Sequence, residues 1–209
     1  MRKFINVLAV GDVESKYLWD YYEPGRLSGV DVILAAGDLD PEYLTFLATF
    51  LKGTVVYVHG NHDGRYLKHP PEGCVSAEDR IVTVKGLRIL GLGGSMRYSR
   101  GDFQYTEREM AARIRRQKIA IWRAGGVDVL LTHAPAKNLG DGSDAAHRGF
   151  QCFNAFLDRY HPSHFVHSHI HKNYSDGFTR LTEYHGVTVV NAYEKQRFAI
   201  ELPTDGQDG

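Results

Sequence analysis

Phe4-Ile5-Asn6-Val7-Leu8-Ala9-Val10-Gly11-Asp12 and Val30-Asp31-Val32-Ile33-Leu34-Ala35-Ala36-Gly37-Asp38 decide the fold. Each is a short apolar run that ends on Gly-Asp, and each predicts a buried strand, over Phe4–Val10 and Val30–Ala36. A third such run, Thr54–Val58, follows. Between the second and third, Asp40-Pro41-Glu42 supplies an N-cap, a proline at the first helical position and an early acid, so a helix is expected over Pro41–Leu51. Strands alternating with crossover helices indicate an α/β chain built on a largely parallel sheet.

The same reading extends outward. Arg80–Val84 and Leu87–Leu92 flank Lys85-Gly86 and predict a hairpin. Thr106 and Glu109 form a capping box that opens one helix through Met110, Ile114, Ile121 and Trp122, stopped by Gly125-Gly126. Val127–Thr132 reads as a buried strand, Phe150–Tyr160 as a helix and Ser163–His167 as a strand that leads into a histidine cluster. Phe178–Tyr184, Val187–Asn191 and Arg197–Leu202 suggest a meander, before a polar tail over Pro203–Gly209. No repeat or linker divides the chain, so residues 1–202 are expected to form a single domain.

Composition narrows the function classes. With 209 residues the chain is long enough to bury a core without disulfides or structural metals. Lys plus Arg and Asp plus Glu both total 25, which leaves no global field to draw it to nucleic acid or an anionic membrane. The basic flank Arg108, Arg113, Arg115, Arg116 and Lys118 is interspersed with Glu107 and Glu109 and reads as a solvated face. No window approaches the roughly 18 apolar residues of a membrane span. The two cysteines, Cys74 and Cys152, have no disulfide-framework or zinc-knuckle spacing, and a cytoplasmic location is expected.

Chemistry is concentrated just after the predicted strands, where an open sheet presents side chains at its carboxyl edge. Asp12 and Glu14 follow the first strand, Asp38 the second, and Asn61 and His62 the third. His133 follows the strand ending at Thr132, and His169 and His171 the one ending at His167. Carboxylate, amide and imidazole donors suit manganese, iron, zinc or magnesium. Seven ligands are too many for one ion. With one shared carboxylate they would furnish two divalent ions about 4 Å apart, the spacing that clamps attacking and leaving oxygens in phosphoryl transfer.

Gly37-Asp38, Gly60-Asn61-His62-Asp63, Thr132-His133 and His169-Ile170-His171 occur in that order. Together they resemble the motifs of the calcineurin-like metallophosphoesterases. The resemblance implies a four-layer α/β/β/α sandwich, in which two mixed sheets pack face to face between helices. It implies that Asp12, Asp38 and His171 hold one metal while Asp38, Asn61, His133 and His169 hold the other. By the same resemblance His62 contacts the phosphoryl oxygens and protonates the leaving alkoxide, a task suited to a group that titrates near neutrality. The stretch Thr132–Tyr174, with His147-Arg148-Gly149 and Lys172-Asn173-Tyr174, is similar to small metallophosphodiesterases of the MPPED kind, and points to a small phosphodiester or nucleotide-type substrate.

One position departs from the family pattern: Glu14 stands where histidine is usual. A glutamate still reaches a metal and adds charge, which favours hard ions, manganese first. Arg97, His147 and Arg148 are candidate phosphate contacts, with surface ion pairing as the alternative. His167 matches no ligand of the pattern and is expected to be a hydrogen-bonded core histidine. The same donor set also serves a phosphomonoesterase or protein phosphatase. A metal-binding regulatory protein with weak turnover is the alternative of another class, against which the intact His62 argues.

Overall fold

The computed structural model describes residues 3–171 and 179–202. In chain order its elements are β1 (Lys3–Val10), β2 (Val32–Ala35), α1 (Pro41–Phe50), β3 (Thr54–Tyr57), β4 (Val75–Ser76), β5 (Ile81–Val84), β6 (Leu87–Leu92), β7 (Ser95–Met96) and β8 (Gln104–Tyr105). These are followed by α2 (Glu107–Arg116), α3 (Lys118–Arg123), β9 (Val129–Thr132), α4 (Gln151–Tyr160), β10 (His164–His167), β11 (Leu181–Tyr184), β12 (Val187–Asn191) and β13 (Gln196–Leu202).

Two mixed sheets carry the fold. One has the order β13-β1-β2-β3-β4 and the other β11-β12-β10-β9-β6-β5. Strand periodicity places their side chains in layers. Ile5, Val7 and Ala9 of β1 and Val32 and Leu34 of β2 meet Ile89, Val129, Leu131 and Val166 in the core between the sheets. The alternate residues Leu8, Val10, Ile33 and Ala35 face outward onto Tyr43, Leu44 and Leu47 of α1. On the far side Leu90, Leu130 and Phe165 pack on Met110, Ile121, Phe153 and Phe156 of the remaining helices. Strands buried on both faces explain why the runs at β1 and β2 read as continuously apolar rather than alternating. The result is the expected α/β/β/α sandwich.

Local chemistry sets the element ends. The Asp40 side chain accepts from the Glu42 amide at 2.8 Å, and Pro41 takes the first turn of α1. The capping box at Thr106 and Glu109 is formed in both directions. Lys85 and Gly86 have φ of 52° and 95°, the left-handed pair that a two-residue hairpin turn requires.

Two expectations are corrected. The helix after Thr106 is not continuous: at Gln117 the backbone N–H reaches back to the Ile114 carbonyl, three residues away, and this tightened turn separates α2 from α3. The three late strands are not a meander. β11 and β12 pair antiparallel, but β13 crosses to the other sheet and runs antiparallel to β1, with Lys3 opposite Leu202 and Ile5 opposite Ile200. That placement buries Ile200 and Leu202 in the core between the sheets. Lys172-Asn173-Tyr174, the start of the strand expected from Phe178, and the tail Pro203–Gly209 lie outside the described residues.

Candidate metal centre

The strand registers bring the candidate residues together. β1, β2 and β3 are parallel, with Val10 opposite Ala35 and Ala35 opposite Tyr57, so the residues that follow them leave one edge at the same level. In the second sheet Leu92 pairs with Thr132, and Leu131 with Val166. The carboxyl edges of both sheets therefore deliver their loops to one crevice, the usual location of ligand sites in open α/β sheets. A hydrogen bond joins the two edges, Gly94 N–H donating to the His59 carbonyl at 2.7 Å, and within the second edge Ser168 N–H donates to the His133 carbonyl at 2.9 Å.

Three of the candidate ligands, Asp12, Asp38 and His169, have φ of 61°, 55° and 67°. Left-handed backbone at non-glycine residues costs about 1–3 kcal/mol each and concentrates at functional sites. The approach of the Asp38 and Asn61 loops also depends on glycine. A Cβ at Gly37, itself at φ 88°, would stand 2.3 Å from Gly60 N, and one at Gly60 would stand 2.0 Å from Asp38 Oδ1.

Asp38, His133 and His169 present ligand atoms that all lie within 4.8 Å of one another. His133 is wholly buried. Its Nδ1 donates to the Ala36 carbonyl at 2.8 Å, which turns Nε2 toward Asn61 Oδ1 at 3.0 Å and Asp38 Oδ2 at 3.3 Å. Burial alone would lower the His133 pKa, yet the charge and hydrogen bond of Asp38 push it up to about 9. Asp38 behaves reciprocally: burial raises it, and His133 together with the His62 amide holds it well below the usual carboxylate range. Two oxygens converge on one imidazole nitrogen, so positive charge is favoured at that point.

Asp12 adds a buried carboxylate. Its Oδ2 accepts from the Ser168 hydroxyl and, at 2.8 Å, from the His169 amide, while its Oδ1 is buried with no hydrogen-bond partner. His171 Nε2 lies 3.6 Å from that oxygen. Burial acts to raise the Asp12 pKa, but His171, His133 and Ser168 bring it down. An ionised buried carboxylate with an unsatisfied oxygen is costly without a cation. This orphan oxygen and the mixed O/N donor set fit divalent metal.

The other predicted residues are placed as follows. His169 packs its ring 4.7 Å from His133, and its Nε2 donates to the Ala146 carbonyl at 2.8 Å. Burial and the neighbouring His133 lower its pKa to about 4. His62 is exposed, with its amide on Asp38 Oδ1 at 2.8 Å. Glu14 lies outside the three-residue cluster among the described residues, and its Oε1 accepts from the Asp40 amide at 2.8 Å. His147 reaches the centre, its ring 5.2 Å from His169 and its Nδ1 2.8 Å from Asp144 Oδ2. Arg97 instead bonds Glu109, at 3.0 Å, and the Gln104 carbonyl. Arg148 is exposed and lines a cavity of about 420 Å³ with Lys137, Asn138 and Asp141. His167 is a buried core histidine on the Ser168 carbonyl, its pKa lowered to about 4 by burial.

Several residues at the site escaped the sequence reading. Asp63, quoted in the Gly60-Asn61-His62-Asp63 motif but given no role, is buried and accepts from the amides of Asp38 and Gly60 at 2.8 and 2.7 Å; burial, with Asp38 nearby, raises its pKa to about 6. Its place directly after His62 was the available signal. Ser168 gave none beyond lying between two histidines. Glu78 joins the sheets: it accepts from the amides of His59 and Gly93 and pairs with the buried Arg113.

Among solved structures the chain is similar to TT1561 of Thermus thermophilus, with TM-score 0.65 and 13% identity over 92% of this chain and 90% of that one. It is also similar to a putative 5'-nucleotidase from Staphylococcus aureus in complex with alpha-ketoglutarate, with TM-score 0.59 and 13% identity over 94% of this chain but 51% of that one. At such identities the likeness is one of fold. No curated protein matches the chain in sequence. The family model described as calcineurin-like phosphoesterase matches residues 5–173, a span that includes every residue of the crevice described above. The chain belongs to the calcineurin-like phosphoesterases.

Proposed function

We propose that this protein is a dinuclear metal-dependent phosphoesterase that hydrolyses a small phosphodiester or nucleotide-type substrate. The observation that carries the reading is the convergence of Asp38, His133 and His169 within 4.8 Å beside the orphaned Oδ1 of Asp12. Asp12, Asp38 and His171, with Glu14 beside them, would hold one ion; Asp38, Asn61, His133 and His169 would hold the other. Manganese is the favoured metal, with iron, zinc and magnesium as alternatives. When bound, such ions lower the pKa of water and neutralise charge at a phosphoryl group.

The chain's own residues do the rest. Ala36 fixes the His133 ring, Ser168 and the His169 amide fix Asp12, and Asp63 holds the Asp38 and Asn61 loops in register. His62 is solvent-facing next to Asn61 and would give a proton to the departing alkoxide. His147 and Arg148 would meet the substrate phosphate, as would Arg97 once released from Glu109. Among the described residues no helix is long and apolar enough to cross a membrane. A diffusible substrate and a cytoplasmic location are part of the proposal.

Hydrolysis of bis-p-nitrophenyl phosphate and p-nitrophenyl phosphate by metal-stripped protein, with manganese, magnesium, zinc or iron restored, tests it. Metal-restored turnover, faster on the diester, is expected. A faster monoester would reassign the protein as a phosphomonoesterase. No turnover with any metal, despite ions bound, would make it a metal-binding regulatory protein.

A further inference from the structure

Tyr98 stands at the mouth of the candidate centre, and nothing in the family pattern calls for it. Its hydroxyl accepts from Asn61 Nδ2 at 3.1 Å. An amide that gives its nitrogen to Tyr98 must turn its oxygen the other way, and Oδ1 indeed faces His133 Nε2 at 3.0 Å. Asn61 itself is 5% exposed, so the tyrosine hydroxyl sets the side-chain orientation of a buried donor.

The ring has a different environment from the hydroxyl. Tyr98 is 41% exposed. Among the described residues no aromatic ring stacks on it, whereas the nearby Phe103 stacks on His59 at 4.3 Å. Its backbone is fixed: the amides of Tyr98 and Ser99 donate to Gln104 Oε1 at 3.2 and 2.9 Å, and Gln104 is buried. A firmly held aromatic face, left open to solvent and joined by its own hydroxyl to a donor of the centre, is a surface for a planar group.

We propose that Tyr98 has two linked roles: its hydroxyl orients the Asn61 amide toward the centre, and its ring receives the planar group, aryl or nucleobase, carried on the substrate's phosphate. The second role rests on the phosphoesterase reading and narrows its substrate class to esters with a flat retained group. The first needs only that the centre binds a divalent ion.

Two variants separate the roles. Tyr98→Phe keeps the ring and removes the hydroxyl; Tyr98→Leu removes both. Bis-p-nitrophenyl phosphate and methyl p-nitrophenyl phosphate share a leaving group and differ in the retained one, a ring or a methyl. In Tyr98→Phe, kcat/KM for both esters should fall together, and manganese affinity, measured by calorimetry, should fall about tenfold or more. In Tyr98→Leu the preference for the aryl ester should drop by a further factor of about ten relative to Tyr98→Phe. Calorimetric binding of phenylphosphonate against methylphosphonate to the manganese-loaded protein reads the same preference without turnover. If the wild type hydrolyses neither ester, the phosphoesterase reading fails while the calorimetry still judges Tyr98. Equal preference ratios in all three proteins, in turnover or in phosphonate binding, would overturn the ring's role, and unchanged manganese affinity in Tyr98→Phe would overturn the hydroxyl's.

Discussion

His133 and Asn61 follow strands of different sheets, β9 and β3, yet Nε2 of His133 lies 3.0 Å from Oδ1 of Asn61. With Asp38 Oδ2 at 3.3 Å from the same nitrogen, the contact concentrates acceptors where a proton or a metal ion must sit. A centre assembled across two sheets is only as good as the packing that holds the sheets in place. The core between them, from Ile5 to Leu202, is therefore part of the functional architecture.

Asp38 is the residue on which both proposed ions depend. Asp38→Asn keeps the shape and removes the charge, so manganese affinity should fall by about a hundredfold or more. Isothermal titration of metal-stripped protein measures this. Wild-type affinity in the variant would remove Asp38 from the centre.

His62 should matter to turnover and not to metal loading. His62→Ala is expected to lower kcat by about a hundredfold while the bound metal per chain stays as in the wild type. Elemental analysis beside the kinetics separates the two effects. A variant that turns over normally would leave the leaving group without the proposed acid.

Gly60 carries the close approach of two loops. Gly60→Ala places a Cβ 2.0 Å from Asp38 Oδ1 and 2.5 Å from Asp38 N. Destabilisation by about 1–3 kcal/mol is expected in urea unfolding, together with weaker manganese binding. A neutral substitution would mean that the loops separate freely.

The pH dependence of stability should report Glu78. Burial acts to raise its pKa, but the hydrogen bond with His59 and the charge of Arg113 bring it down to about 2, from 4.5 in the unfolded chain. The folded value is depressed, so its contribution is fully present above pH 4.5 and is lost as pH falls from 4.5 toward 2. At about 1.4 kcal/mol per pH unit this amounts to at most about 3 kcal/mol. The stability gap between wild type and Glu78→Gln should shrink by about 2 kcal/mol between pH 6 and pH 3. A gap independent of pH would show that the carboxylate charge contributes nothing.

The strands and the candidate donors were legible because their signals are local. Phe4–Val10 and Val30–Ala36 announced themselves as apolar runs, and Asp12, Asp38, Asn61, His133 and His169 each follow a strand closely. The sequence did not reveal which strand pairs with which. Gln196–Leu202 has the alternation of a strand, but only tertiary packing assigns it to β1 rather than β12. The break at Gln117 was hidden because glutamine is an ordinary helix former. The bonding roles of Asp63 and Glu78 were hidden for a third reason: each acts through a partner 25 or 35 residues away, a distance along the chain that leaves no pattern.

Glu14 should tune the choice of metal. Its Oε1 accepts from the amide of Asp40, two residues after Asp38. Hard ions should support the wild type best, manganese before zinc, and Glu14→His should shift the order toward zinc or iron. Rates with each metal at saturating concentration test this. Zinc giving the highest wild-type rate while manganese is inert would contradict it.

The most direct test is turnover of bis-p-nitrophenyl phosphate by metal-stripped protein as manganese is added in fractions of an equivalent. The dinuclear phosphoesterase account predicts a rate near zero without metal that rises until two ions are bound per chain and then stays level. Saturation at one equivalent, or a rate that does not respond to manganese, would contradict it.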